Sequence, residues 1–337
     1  MTRSLSSLVG SFRQRLFATR LAAGAAALLC PAAIAQSASW DMATTAVPDS
    51  AQARVMQAFV ANISARAEGQ FAVTIYPPNS IMKPPEVKDA VRRGVVPIGE
   101  FTLSLHAGEA PIYGVDSVPF LATTYEAARR LYEAQKPFLE KRLADEGLKL
   151  LYSAPYMPQG LCAAQPLPEA SGLRGLKLRS YNHMTKKLAL LSGAVPTSID
   201  TGEIAAAMKG GRLDVFTASA GQVAARKVWT FAPYFYDASL WIPRDAVVVN
   251  KAQFEALPAE IRKAMLDAAK FAEDRAWEAA AADYAEQRAA LKAAGATVIQ
   301  PTPGFMAAFA GVGRQIADEW VKLAGADGEA IMQAYRK

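Results

Sequence analysis

Alternation and helical periodicity divide the chain into a βα rhythm. Phe71, Val73 and Ile75 alternate with Ala72, Thr74 and Tyr76, which predicts a strand ended by Pro77-Pro78-Asn79. Residues 39–46 predict an earlier strand, with Trp40 and Met42 on one side. A helix over 50–69 lies between them, with Asp49 or Ser50 as cap and Val55, Phe59, Val60 and Ile63 at helical spacing. A second helix follows Pro84-Pro85 and stops at Gly94, and an apolar strand over 95–105 carries one charge, Glu100. Residues 125–146 predict a helix and 148–152 a strand. Such a rhythm is that of an α/β domain with strands buried on both faces.

Tyr156-Met157-Pro158-Gln159-Gly160 then gathers Pro and Gly after a completed strand, which predicts a crossing into a second domain. Beyond it the pattern predicts a helix over 184–192 and an extended 194–197. A small helix over 203–209, capped by Thr201, and a strand over 213–217 aimed at Ala218-Ser219-Ala220-Gly221 follow. A β-branched strand over 246–250 reads as a crossing back. The longest helical signal, 258–294, holds no Gly or Pro after its first residue. At 1.5 Å per residue it would run to roughly 55 Å, long enough to brace two lobes. A strand over 296–300 and helices over 306–324 and 328–336 close the chain.

The candidate chemistry sits at Leu173-Arg174-Gly175-Leu176-Lys177-Leu178-Arg179-Ser180-Tyr181-Asn182. Leu176 and Leu178 alternate with Lys177 and Arg179, so a short buried strand delivers an arginine at its end. Ligands of open α/β sheets bind beyond the carboxyl ends of the strands. An arginine there offers a planar fork of donors to a carboxylate. Thr217 and Ser219 end another strand, where their hydroxyls could reach the same cleft or make ordinary turn hydrogen bonds. Glu100 follows Gly99 inside an apolar strand, where an unpaired charge is costly. It either sits at an exposed strand end or pairs with something in the cleft.

The 337 residues, 52% hydrophobic and 20% charged, suffice for two cores. Residues 1–35 read as a signal peptide. Arg3, Arg13, Arg15 and Arg20 form its basic part, 21–34 its apolar core, and Ala33-Ile34-Ala35 its small–x–small cleavage site. The apolar run is shorter than the about 20 residues of a spanning helix; an uncleaved anchor is the alternative. Lipidation at Cys30 is opposed by Leu29 before it. Cleavage after Ala35 lowers the net charge from +6 to +2, so the basic balance is no evidence for nucleic acid. Only Cys162 remains, which excludes an intrachain disulfide.

Equipment for common catalysis is missing. His106 and His183 form no metal-ligand spacing, and no Gly-x-Ser-x-Gly elbow or Walker loop occurs. Gly311-Val312-Gly313 lacks the third glycine of a dinucleotide fingerprint, and Cys162 has no evident basic partner. The expectation is a protein that is not an enzyme and carries no cofactor and no metal.

Several segments resemble the solute-binding proteins of tripartite ATP-independent periplasmic (TRAP) transporters, the DctP-type family. They are Gly175-Leu176-Lys177-Leu178-Arg179, Gly193-Ala194-Val195-Pro196, Glu203 through Gly210 followed by Leu213-Asp214, Val247-Val248-Val249-Asn250, and Leu257-Pro258. The resemblance implies a two-lobed periplasmic binding protein type II fold with a long helix crossing both lobes. It places lobe I at 36–158 and 245–277 and lobe II at 159–244 and 278–337, the helix at about 258–294 being shared. It also implies periplasmic localisation, TRAP membrane subunits as partners, and Arg179 as the anchor of a substrate carboxylate. Tyr181, Asn182, Thr217, Ser219 and Gln159 would orient the rest of the ligand, Trp241 would wall it, and Glu100 is a further candidate. Sugar-acid binders of the family carry a second arginine around 159–165, which this chain lacks. One arginine with nearby aromatics points to a monocarboxylate, aromatic or 2-oxo, as the organic acid. The rivals are the binding component of an ATP-driven importer or sensor, and an exported lyase or hydrolase using Glu100 and Tyr181.

Overall fold

A computed structural model describes residues 38–337 except Val47, Asp49 and Pro168; the predicted signal peptide and the candidate cap Asp49 lie outside the described residues. In chain order, β1 (Ala38–Ala43), α1 (Ala51–Arg66), β2 (Phe71–Tyr76), α2 (Val87–Arg92), β3 (Ile98–Thr102), α3 (Tyr125–Asp145) and β4 (Leu148–Pro155) form the first half. Then come β5 (Gln159–Ala163), β6 (Lys177–Arg179), α4 (His183–Leu191), β7 (Val195–Thr197), α5 (Ile204–Lys209), β8 (Val215–Ser219), α6 (Ala220–Ala225) and β9 (Tyr234–Tyr236). The chain ends with β10 (Arg244–Asn250), α7 (Lys251–Ala256), α8 (Ala259–Ala293), β11 (Thr297–Ile299) and α9 (Pro303–Tyr335).

Among the described residues the strands form two sheets, ordered β2-β1-β3-β10-β4 and β11-β9-β5-β8-β6-β7. Parallel β1 and β2 need a crossover helix, which α1 supplies with Met56, Phe59 and Ile63 as its buried stripe. Its first turn is held by the Ser50 hydroxyl, which accepts from the Ala53 N–H at 3.1 Å. Strand β10 returns from the second half and inserts antiparallel between β3 and β4, buried along its whole length. The chain therefore crosses between sheets after β4 and again before β10. The crossings pair with each other: Gln159 N–H donates to Trp241 O at 2.9 Å, Leu240 N–H to Gln159 O at 2.8 Å, and Tyr156 N–H to Pro243 O at 2.7 Å.

The long helix forms as its composition predicts. Helix α8 has 35 residues, roughly 52 Å at 1.5 Å each, and packs on α1 and β4 of one half and on α6 and β11 of the other. The closing helices are joined as α9, broken only at Gly325, whose φ of 60° and ψ of −140° are not helical. Three differences from the predicted elements matter for the site. Strand β3 ends at Thr102, and a 3₁₀ turn over Leu103–His106 follows where more strand was predicted. Strand β8 lies two residues later than predicted, and a helix that the pattern does not predict, α6, follows it directly with Ser219 as cap. Thr201 does not cap a helix; it starts a 3₁₀ turn over Thr201–Glu203.

Glu100 and Asp245 meet at the seam between β3 and β10, both buried. Glu100 Oε2 accepts from the Thr44 hydroxyl at 2.7 Å and from the Thr45 N–H at 2.6 Å. The Asp245 oxygens lie against Glu100, Thr102 and Tyr156 without an aligned donor. Burial, reinforced by the Glu100 charge, raises the Asp245 carboxyl well above the ordinary range, so it keeps its proton. In the unfolded chain that proton leaves near pH 4. The native state thus binds more protons above that pH, and stability falls as pH rises toward the folded value.

We expect Asp245→Asn to flatten this dependence: its melting temperature should fall less between pH 5 and 8 than that of the parent. Asp116, also raised by burial, to about 6, contributes equally to both proteins. Parallel melting curves for the two would refute the raised Asp245 carboxyl. A second expectation concerns Gly160, where an added Cβ would lie 2.3 Å from Tyr236 O and 2.7 Å from the Phe235 ring. Gly160→Ala should cost about 1–3 kcal/mol, several degrees by calorimetry; an unchanged melting point would contradict the packing.

Candidate functional site

Strand β5 runs antiparallel to β8, and β6 runs parallel to β8, so the start of β5 and the ends of β6 and β8 fall on one edge of the second sheet. Gln159, Arg179 and Thr217 are brought together there, with Tyr181 just beyond β6, and all four line one cavity of about 370 Å³. The other wall comes from the first half: Thr102 at the end of β3, Ser104 and Leu105 in the turn after it, and Tyr156 and Pro243 in the crossings. Ile204, Phe216, Val228 and Phe231 supply apolar surface.

Arg179 is 7% exposed. Its Nε donates to Ile199 O at 2.8 Å and its Nη2 to the Thr201 hydroxyl at 2.9 Å, while the Tyr181 ring lies 4.9 Å from its guanidinium carbon. Among the described residues no carboxylate lies within ion-pair distance of it, and no acidic side chain lines the cavity. Burial lowers its pKa, yet an arginine stays charged in proteins. Burial pushes the Tyr181 phenol up to about 12, which keeps it a neutral donor. The Thr217 hydroxyl lies beside that phenol without an aligned partner, and the buried Ser104 hydroxyl also has none. A desolvated cation ringed by uncommitted neutral donors and acceptors can hold a small anion.

Four predicted contacts are placed elsewhere. Asn182 caps α4, its Oδ1 accepting from the Thr185 N–H at 2.8 Å. Ser219 caps α6, its hydroxyl accepting from the Gln222 N–H at 3.3 Å. Short polar side chains directly before a helix are consumed by its unsatisfied N–H groups, a competing use of the same residue types. Trp241 is wholly buried in the core below the crossings and does not wall the cavity. Glu100 faces Thr44 and Thr45 behind the cavity wall, and neither it nor Tyr181 forms an acid–base pair with the other.

Other lining residues were not foreseen: Thr102, Ser104, Tyr156, Thr201, Gln222 and Arg226. The cavity thus holds two arginines where the sequence reading counted one. Tyr156 has a signal, its place in the Pro/Gly crossing; Arg226 has none, because the sequence pattern predicts no element over α6. Among the described residues no group of three His, Cys, Asp or Glu side chains could hold a metal ion. Cys162 is fully buried, which pushes its thiol up, and His106 pairs with Glu109 at 2.6 Å away from the cavity. No described helix is long and apolar enough to cross a membrane.

The solved structures similar to this chain include three receptors of pyroglutamate. DctP6 of Bordetella pertussis, an extracytoplasmic solute receptor binding pyroglutamic acid, is 37% identical with a TM-score of 0.84, over 88% of this chain and 99% of that one. DctP7 of the same organism, described in the same words, is 34% identical with a TM-score of 0.85, over 89% and 99%. A marine metagenome TRAP solute-binding protein specific for pyroglutamate is 32% identical with a TM-score of 0.84, again over 89% and 99%. The two-lobed fold is therefore the fold of this chain. Residues 42–323 match the profile of bacterial extracellular solute-binding protein family 7, DctP, and the chain belongs to that family, the solute-binding proteins of TRAP transporters.

Proposed function

We propose that this protein captures a small carboxylate of the pyroglutamate type between its lobes and delivers it to TRAP membrane subunits without chemical change. The observation that carries the reading is Arg179, a buried guanidinium whose protein partners are all neutral. Removing an ion from water costs several kcal/mol, and a carboxylate is the partner that offsets this best. Pyroglutamate would place its carboxylate on Arg179 and its lactam N–H against Thr217 or Ser104, with its lactam oxygen on the side of the ring away from Arg179. Its ring methylenes would lie on the apolar wall of Phe216, Val228 and Phe231. The reading agrees with the ligand named for three receptors that are 37%, 34% and 32% identical.

Capture would be a closure. The lobes, 36–158 with 245–277 and 159–244 with 278–337, would rock about the paired crossings, with α8 shared between them. A ligand favours the closed form only through contacts made by both lobes. Here Thr102, Ser104 and Tyr156 would supply one side and Arg179, Tyr181 and Thr217 the other. The protein would act in the periplasm, as the extracytoplasmic placement of its relatives supports.

Calorimetric titration of the mature chain with L-pyroglutamate tests this. We expect tight one-to-one binding and a loss of about 100-fold or more in Arg179→Ala, since a desolvated charged contact of this kind contributes about 2–5 kcal/mol. Retained affinity in Arg179→Ala would remove the anchor, and silence of the parent toward all carboxylates would remove the substrate class.

A further inference from the structure

Arg226 ends α6, and its position follows from how that helix is built. The Ser219 hydroxyl and the Gln222 side chain close a capping box at the start of the helix, and six residues later Arg226 is its C-cap. Lys227 then adopts a left-handed φ of 49°, which turns the chain away into the 3₁₀ turn over Val228–Thr230. Gln222 and Arg226, four residues apart, share a helix face, and both line the cavity beside Val228 and Phe231. Arg226 is exposed at that rim.

Among the described residues its guanidinium has no hydrogen bond and no ion pair. Its charge reaches Arg179, where it works against the charged form. Asp200, the carboxylate whose charge favours Arg179, is neither within ion-pair distance nor part of the lining. Two guanidiniums therefore face one cavity that holds no acidic side chain. Like charges so placed oppose folding, unless a ligand brings the counter-charge. A carboxylate engaged bidentately by Arg179 is held at the buried side of the cavity, whereas Arg226 stands at its exposed rim and faces the rest of the ligand. The fork of Arg226 then needs another oxygen on the same ligand.

We propose that Arg226 is a specificity-determining residue that reads a second oxygen acceptor of the ligand, a ring carbonyl or a second carboxylate, and so selects oxo-acids over plain monocarboxylates. This rests on the acid-binding reading of Arg179. Arg226 adds to it the discrimination that the β6 arginine cannot make alone.

The test uses three ligands at fixed ionic strength: L-pyroglutamate, cyclopentanecarboxylate, which has the same ring size but no carbonyl or ring nitrogen, and glutarate. Each is titrated into the mature parent and into Arg226→Ala and Arg226→Gln, with unliganded melting curves as the fold control. Arg226→Ala should weaken pyroglutamate and glutarate by about 10-fold or more, the scale of a hydrogen bond to a charged group, and change cyclopentanecarboxylate by less than about 3-fold. Arg226→Gln, which keeps a neutral donor, should fall between on pyroglutamate. Equal losses on all three ligands would mean general electrostatic attraction and overturn the proposal, as would no loss on any. If the parent binds none of the acids, the acid-binding reading falls first and this inference with it. If only Arg179→Ala loses affinity, the reading stands and Arg226 is excluded.

Discussion

The buried charge of Arg179 is the constraint on which the cleft depends. A three-residue strand carries its side chain into a space lined by neutral groups and a second guanidinium, that of Arg226. Ile199 O, the Thr201 hydroxyl and the Tyr181 ring offset part of the lost hydration. None of them neutralises the charge, and among the described residues the fold brings no carboxylate within ion-pair distance. Such a group weakens the free protein and strengthens its complex with an anion. Stability withheld in the unliganded state is available to affinity.

That arrangement needs a rigid edge and a movable opposite wall. The edge is held because β5 pairs with β8 along five residues, β6 joins β8 at Leu178 and Val215, and Gly160 lets the Tyr236 backbone approach closer than any side chain would permit. The opposite wall hangs from the first sheet. It is reached through crossings whose backbones bond to one another at Gln159, Leu240 and Trp241. Three connections thus join the halves: two paired crossing segments and α8, which packs on both. The proposed closure about such a joint would move Thr102, Ser104 and Leu105 relative to Arg179 while leaving the pairing within each sheet intact. Asp245, whose carboxyl pKa is raised well above the ordinary range by burial and the neighbouring Glu100, sits directly behind Thr102 and Tyr156 in the seam under that wall.

The same geometry explains why fold and site were unequally legible. Strands β2 and β10, helices α1, α3 and α8, and the crossing near Tyr156 follow from alternation, helical spacing and Pro/Gly punctuation, all of which act over a few residues. Arg179 was legible because its own strand aims it. Asn182 and Ser219 misled because a hydroxyl or amide before a helix serves a cap as readily as a ligand. Trp241 misled because an aromatic beside a cleft-forming segment can point into the core instead.

What the sequence alone determined is the order and kind of the main elements, the long bracing helix, the family resemblance, and the delivery of one arginine to a strand end. Only the tertiary structure decided which residues share the cavity with it. Thr102, Tyr156 and Arg226 are separated from Arg179 by 77, 23 and 47 positions. They meet through sheet order, the pairing of two crossings, and the short helix α6 that opens directly after β8. Local periodicity records how a segment folds against its own core. Membership in a cleft depends on where several finished segments end, and no single stretch of chain carries that information.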